Sequence, residues 1–159
     1  MGATGYLGRL RECMGHDLLL APSAAACIRD GEGRILLLRR SDGDNLWSFP
    51  GGGMELGERA ADAVVREVYE EIGLKVEPVA LIGVYSGPEY IFAYPNGDQV
   101  QPVILFLECR VVGGELRPDM QEIIGARYFG PEDELPPMHP CCVAKANDAF
   151  VFQGQAFFR

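Results

Sequence analysis

The 159-residue chain reads as one α+β domain spanning residues 1–159, a mixed β-sheet with α-helices packed on its faces. Three observations predict this. Short apolar segments recur between Gly, Pro and Asn turns, as strands do. One strongly periodic helical stretch interrupts them mid-chain. No linker, repeat or low-complexity tract divides the sequence, and its length suits one continuous core.

The elements follow in order. Residues 4–14 alternate Leu7, Leu10 and Met14 with Arg9, Arg11 and Glu12, which suits a short helix. Residues 23–29 and 34–40 read as strands, and Asp30-Gly31-Glu32-Gly33 between them reads as the turn of a hairpin. Residues 41–45 are a polar loop. The apolar group Leu46, Trp47 and Phe49 leads through Pro50 into Gly51, Gly52 and Gly53. From about Glu58 to Ile72 the apolar residues Ala61, Val64, Val65, Val68 and Ile72 recur at three- and four-residue spacing, the signature of one buried helix face. Gly73 supplies the stop. Strands are expected over 79–85, 90–94 and 100–111, the last two joined by a hairpin turn at Pro95-Asn96-Gly97-Asp98. Gly113-Gly114 reads as a further turn and 126–129 as a short last strand. Pro136-Pro137 breaks the chain before a helix over 140–152.

Composition narrows the function. Hydrophobic residues make up 48% and charged residues 23%, an ordinary globular mix. No apolar run is long enough to span a bilayer, so no membrane partner is expected. The N-terminus lacks the basic stretch and apolar core of a secretion signal, which points to a cytoplasmic protein. A net charge of −9 argues against a nucleic acid polymer as partner, since such binding needs clustered Lys and Arg. A small phosphate compound remains open, provided that carboxylates hold divalent cations against it. The five cysteines are odd in number and irregularly spaced, so no disulfide framework is expected. Cys141-Cys142 could be a soft-metal or redox site, but two idle thiols are the favoured reading, and His16 and His139 read as structural.

The chemistry lies on the central helix. Glu67, Glu70 and Glu71 stand at i, i+3 and i+4, which puts three carboxylates on one face within one turn. Alone they would read as a solvated acidic surface. A cluster of hard oxygen donors is also what Mg²⁺ or Mn²⁺ prefers. The surrounding spacing decides between the two. Gly52, five residues, Glu58, seven residues and then Arg66-Glu67-Val68-Tyr69-Glu70-Glu71-Ile72-Gly73-Leu74 match the Nudix box at every fixed position. The sequence therefore resembles the Nudix hydrolases over the box, residues 52–74, and more loosely over most of the chain. Gly15-His16-Asp17, Tyr94-Pro95-Asn96-Gly97-Asp98 and Gly113-Gly114-Glu115-Leu116 look like a bacterial subgroup labelled nucleotide-sanitising or ADP-ribose pyrophosphatase-like.

The resemblance implies the Nudix fold, a mixed sheet sandwiched between helices, and Mg²⁺-dependent hydrolysis of a phosphate–phosphate bond in a nucleoside diphosphate linked to another group. Glu67, Glu70, Glu71 and the backbone carbonyl of Gly51 would hold one to three Mg²⁺ ions, with Mn²⁺ able to substitute. Arg66 would pair with Glu70 or Glu58 and hold it in place. The general base would be Glu67 or Glu122, the latter just before the last strand and equally readable as an exposed loop acid. Arg39 and Arg40 end a strand, so alternation lets at most one of them face the site and contact phosphate. Trp47 and Tyr94 are candidate base-stacking surfaces, with core packing the stronger reading for any single aromatic. Candidate substrates are ADP-ribose, oxidised dNTPs, NDP-sugars and dinucleoside polyphosphates. Dimers are common among similar proteins, which leaves a homodimer open. A catalytically silent nucleotide-sensing module is the alternative function, and the intact box glutamates weigh against it.

Overall fold

The computed structural model describes residues 5–41, 45–94 and 96–159. Thr4 of the expected first helix, residues 42–44 of the polar loop and Pro95 of the hairpin lie outside the described residues.

Among the described residues the chain runs α1 (Gly5–Met14), β1 (Leu19–Ile28), β2 (Ile35–Arg40), β3 (Trp47–Ser48), β4 (Gly51–Gly53), α2 (Ala60–Ile72), β5 (Leu74–Tyr85), a 3₁₀ turn (Pro88–Tyr90), β6 (Phe92–Ala93), β7 (Gln99–Gly114), β8 (Ile123–Phe129), α3 (Pro140–Val151) and β9 (Phe157–Phe158). The larger sheet is mixed, in the order β4-β1-β7-β5-β9, with β6 also paired to β7. The smaller one is antiparallel, β3-β2-β8.

Successive residues of β1 and β2 point into two different cores. Ala25, Cys27, Ile35 and Leu37 join Phe106 and the α3 residues Cys142, Ala146 and Ala149. Ala24, Ala26, Leu36 and Leu38 join Val64, Val68 and Ile72 of α2. Both strands are buried on both faces, which is why they read as continuous apolar runs. The mixed sheet is thus flanked by helices, as expected.

Several expected elements differ. Residues 23–29 and 34–40 are not a hairpin. The turn exists, with Asp30 Oδ1 accepting the N–H groups of Glu32 and Arg34, but beyond the Arg29–Ile35 bridge the strands part into separate sheets. Each strand has two hydrogen-bonding edges. Those of β1 are taken by β7 and β4, those of β2 by β8 and β3. Residues 90–94 give only the two-residue β6, because Pro88 opens a 3₁₀ turn ahead of it. Gly113-Gly114 is not a turn but the end of β7, paired with Lys75 and Leu74. A Cβ on Gly114 would come within 2.3 Å of the Gly73 carbonyl oxygen, so the close approach requires glycine. Strand β5 starts at Leu74 rather than 79, and its register shifts flank Pro78. The last expected strand starts at Ile123 rather than 126, and β9 was not foreseen.

Helix α1 buries no residue and is tied down by polar bonds. The Glu55 carboxylate accepts the Tyr6 N–H at 2.9 Å. At the other end His16 Nδ1 lies 2.8 Å and Arg11 Nε 3.6 Å from the Asp98 carboxylate. The Gly15-His16-Asp17 and Asn96-Gly97-Asp98 motifs therefore meet. Among the described residues no helix is long and apolar enough to cross a membrane.

Candidate active site

Three elements build the site: the β4 glycines, the outer face of α2, and the loop between β7 and β8. Helix α2 begins at Ala60, two residues later than its periodicity suggests, because Arg59 is extended and Glu58 serves the loop instead. Ala63, Val64, Val68 and Ile72 bury one face and leave the glutamates on the other. Gly73 ends the helix in the left-handed conformation, φ 72°, and returns its N–H to the Tyr69 carbonyl.

The glycines are required by contact. Gly51 has φ 140°, and a Cβ there would sit 2.2 Å from the Ala24 carbonyl oxygen across the β4–β1 ladder. A Cβ on Gly52 would come within 2.7 Å of the Glu67 carboxylate. The triple glycine thus lets the strand pass directly against a helix carboxylate.

Arg66 organises the acidic face. Its guanidinium bonds Glu58 at 2.8 and 3.0 Å, Glu67 at 2.7 Å, Glu70 at 3.2 Å and the Gly53 carbonyl at 3.1 Å. Both expected partners of Arg66 are therefore present. Hydrogen bonding to Arg66 holds the Glu58 carboxyl below its usual range, and Glu58 also accepts the Glu55 N–H at 2.9 Å.

Glu71 is different. Its side chain is only 7% exposed, and it accepts the Gly51 N–H at 2.9 Å while Arg40 stands off at 3.9 Å. Burial pushes its carboxyl up to about 8, with the charges of Glu67 and Glu122 adding to the rise. Burial also raises Glu67, against the pull of Arg66 and with help from Glu70 and Glu122. Glu70 remains 59% exposed.

Glu122 is exposed and lies in the field of both Glu67 and Glu71. Asp119 holds it there: Oδ1 accepts the N–H groups of Gln121, Glu122 and Ile123 at 2.9–3.0 Å. The same loop caps α2, donating Arg117 N–H to Ile72 and Asp119 N–H to Glu71 carbonyls. Asp119 was missed from sequence, although an Asp followed by free backbone N–H groups is the signature of such a turn.

The remaining expected residues are placed as follows. Arg40 is the member of its pair near the acidic face, against Glu71, whereas Arg39 is exposed on the opposite side of β2 and pairs with Gly125. Trp47 is half-buried against the α3 core, edge-on to Phe129 with ring centroids 5.4 Å apart. Tyr94 is exposed and edge-on to Phe92 at 5.0 Å, which in turn meets His139 at 5.0 Å.

The donor chemistry fits a hard divalent cation: clustered carboxylate oxygens, one of them buried with no full counter-charge. Among the described residues, no three His, Cys, Asp or Glu side chains stand as a ready-made cage. Arg66 draws Glu67 and Glu70 to itself, and Gly51 holds Glu71.

A glycine loop laid against a helix of clustered glutamates, inside a two-sheet sandwich, defines a class. The model of the NUDIX domain matches residues 19–144, and the chain belongs to the NUDIX family. An ADP-ribose pyrophosphatase from Methanocaldococcus jannaschii is 36% identical over 110 residues, covering 67% of this chain and 62% of that protein. An RNA pyrophosphohydrolase from Teredinibacter turnerae is 42% identical over 66 residues, covering 42% of this chain and 39% of that protein. The match thus spans less than two thirds of these relatives' length. Among solved structures, an ADP-ribose pyrophosphatase from Streptococcus suis superposes with a TM-score of 0.68 at 29% identity, over 87% of this chain and 97% of that one. A MutT NUDIX hydrolase from Burkholderia pseudomallei, at 22% identity and TM-score 0.63, covering 82% of this chain and 96% of that one, shares the fold.

Proposed function

We propose that the chain hydrolyses a phosphate–phosphate bond in a nucleoside diphosphate linked to another group, with Mg²⁺ held by Glu67, Glu70, Glu71 and the Gly51 carbonyl. Mn²⁺ is expected to substitute. One observation carries the reading: Glu71 is buried beside Glu67 with only the Gly51 N–H at 2.9 Å and Arg40 at 3.9 Å against it, and burial pushes its carboxyl up, so a cation would stabilise its ionised form. A divalent ion held there would supply charge neutralisation at the phosphates and would lower the pKa of the water that attacks phosphorus.

The chain's own groups do the rest. Arg66 holds Glu58 and the Gly53 carbonyl, which fixes the loop against α2. To join a shared ion, Glu67 must give up its bond to Arg66, while Glu58 keeps that guanidinium in place. Glu67 and Glu122 are the two candidate bases that can take the proton from the attacking water. Arg40, already against Glu71, is the arginine in reach of a phosphate oxygen, and Arg39 is set aside. Trp47 is read as a wall under the loop, and Tyr94 as a surface contact for a base.

ADP-ribose leads the substrate panel, because the Methanocaldococcus and Streptococcus relatives carry that name. Oxidised dNTPs, NDP-sugars and dinucleoside polyphosphates complete it, and RNA enters through the Teredinibacter relative, although a net charge of −9 disfavours an extended polyanion. A cytoplasmic setting and a homodimer belong to the same proposal, the dimer on family resemblance alone.

The test is hydrolysis of this panel with Mg²⁺ in ¹⁸O-water. Label is expected on a phosphate product, with EDTA abolishing turnover. Label on a sugar carbon would overturn attack at phosphorus. Tight Mg²⁺-dependent binding of the whole panel without turnover would favour the sensing module.

A further inference from the structure

An open groove adjoins Glu70 at the C-terminal end of α2. It holds about 590 Å³, within the range of small-molecule sites. Tyr69, Glu70 and Gly73 line it from the helix end, and Arg117, Asp119 and Met120 from the β7–β8 loop.

Its apolar lining is not scattered. Tyr69 is 55% and Met120 66% exposed, so two large apolar side chains meet solvent in one groove. Met120 also has φ 61°, a left-handed backbone that costs energy for any residue with a Cβ. Packing does not offset that cost, because the side chain stands in solvent. The loop imposes the conformation instead. Asp119 Oδ1 accepts the three N–H groups that follow Met120, and the Met120 N–H donates to the Ile123 carbonyl at 3.0 Å. The thioether is thus held at the groove by the turn rather than by contacts of its own.

Charge adds a second element. Arg117 is exposed and has no carboxylate within ion-pair distance among the described residues, in a chain of net charge −9. The two acids beside it are engaged: Glu70 lies 3.2 Å from Arg66, and Asp119 holds the loop N–H groups. Carbonyls at the helix end, which would repel an anion, are capped. Gly73 N–H bonds that of Tyr69, Arg117 N–H that of Ile72 and Asp119 N–H that of Glu71. Arg117 is therefore a cation open to a phosphate.

The combination selects the ligand. An exposed ring and a polarisable thioether suit the flat face of a base. A bare sugar would need polar partners for its hydroxyls, and the two acids that could serve are already engaged. Glu70 belongs both to this groove and to the proposed ion site, so a substrate with its phosphates on the ion can lay its far group here.

We infer that the groove is a subsite for the distal half of the substrate, where Tyr69 and Met120 stack a second base and Arg117 contacts the phosphate that carries it. The inference rests on the hydrolytic reading of Glu70 and its neighbours. It moves a dinucleoside compound ahead of ADP-ribose in the substrate panel.

Diadenosine diphosphate and ADP-ribose provide the test, because they differ only in the base on the distal ribose. With Mg²⁺, the unmodified chain is expected to give the higher kcat/KM on diadenosine diphosphate. Tyr69→Ala should cut that preference about tenfold, the loss of one base stack, and Tyr69→Phe should restore it. Phe158→Ala, which removes an exposed ring on β9, should leave the ratio alone. Arg117→Gln should raise KM for both compounds, which share both phosphates; an unchanged KM would overturn the Arg117 contact. If turnover occurs and Tyr69→Ala keeps the ratio, or the unmodified chain prefers ADP-ribose, the subsite is overturned while the hydrolytic reading stands. If neither compound is hydrolysed, the hydrolytic reading falls, and calorimetric binding of the methylene-bridged diadenosine analogue decides the groove by itself. Binding weakened about tenfold in Tyr69→Ala would support the subsite, and equal or absent binding would overturn it.

Discussion

At the scale of single residues, Glu70 and Glu71 look alike in sequence but stand in different surroundings. Glu71 is buried with one N–H partner, and Glu70 sits at the surface on Arg66. Either change to Gln should lower turnover by roughly 10²-fold or more, the cost of losing one strong electrostatic stabiliser. Near-unchanged rates in both variants would refute the metal assignment. Gly51→Ala places a Cβ against backbone at a φ that side chains rarely adopt, so nothing flexible can yield. A loss of roughly 1–3 kcal/mol is expected in chemical denaturation, together with loss of activity. For Trp47 the edge-on contact with Phe129 favours a packing role. Trp47→Ala should cost about 3 kcal/mol of stability and alter KM only secondarily. A raised KM with an unchanged Tm would put the indole in the substrate pocket instead.

At the scale of elements, the β7–β8 loop couples the end of α2 to Glu122. Asp119→Ala removes the acceptor for three backbone N–H groups while sparing every box residue. Stability should fall by about 1–3 kcal/mol, the cost of unsatisfied donors. If Glu122 acts as base, kcat should fall further than KM changes; a stability loss with kcat intact would leave Glu122 a bystander. This element also marks the limit of what sequence alone reveals. Helix α2 was legible because its glutamates and apolar residues follow one period, and Gly73 stops it. The glycine loop was legible through its composition, though not the reason, a Glu67 carboxylate pressed against Gly52. Edge pairing was not legible. Alternation states which faces of β1 and β2 are buried but not which strands occupy their edges, so an apparent hairpin became two sheets. The burial of Lys145 was equally hidden, since it looks like any surface lysine until its helix is packed.

At the scale of the whole molecule, the buried acid makes stability depend on pH and metal together. The folded Glu71 carboxyl is raised to about 8, above its ordinary 4.5. The folded state therefore holds the proton more tightly than the unfolded one, and this contribution is full below about 4.5 and lost as pH rises toward 8. Metal-free protein should lose stability across that window. Mg²⁺ favours the ionised carboxylate, so it should raise Tm more at pH 8 than at pH 6. An equal shift at both values would place Glu71 outside the metal site.

The central ladder bears on how the chain comes to fold. Leu19 through Ile28 lie parallel to Val100 through Cys109, partners about eighty residues apart in the chain. Helix α2 forms from neighbours, yet its apolar face packs on strands that exist only after this distant pairing. Closing so long a loop precedes most of the reward, so refolding should be slow and limited by β1–β7 docking rather than by α2. A destabilising change in that ladder, such as Ala26→Gly, should slow refolding in stopped-flow measurements. One in α3, such as Ala146→Gly, should chiefly speed unfolding. Equal effects on the refolding limb would mean that both elements assemble together.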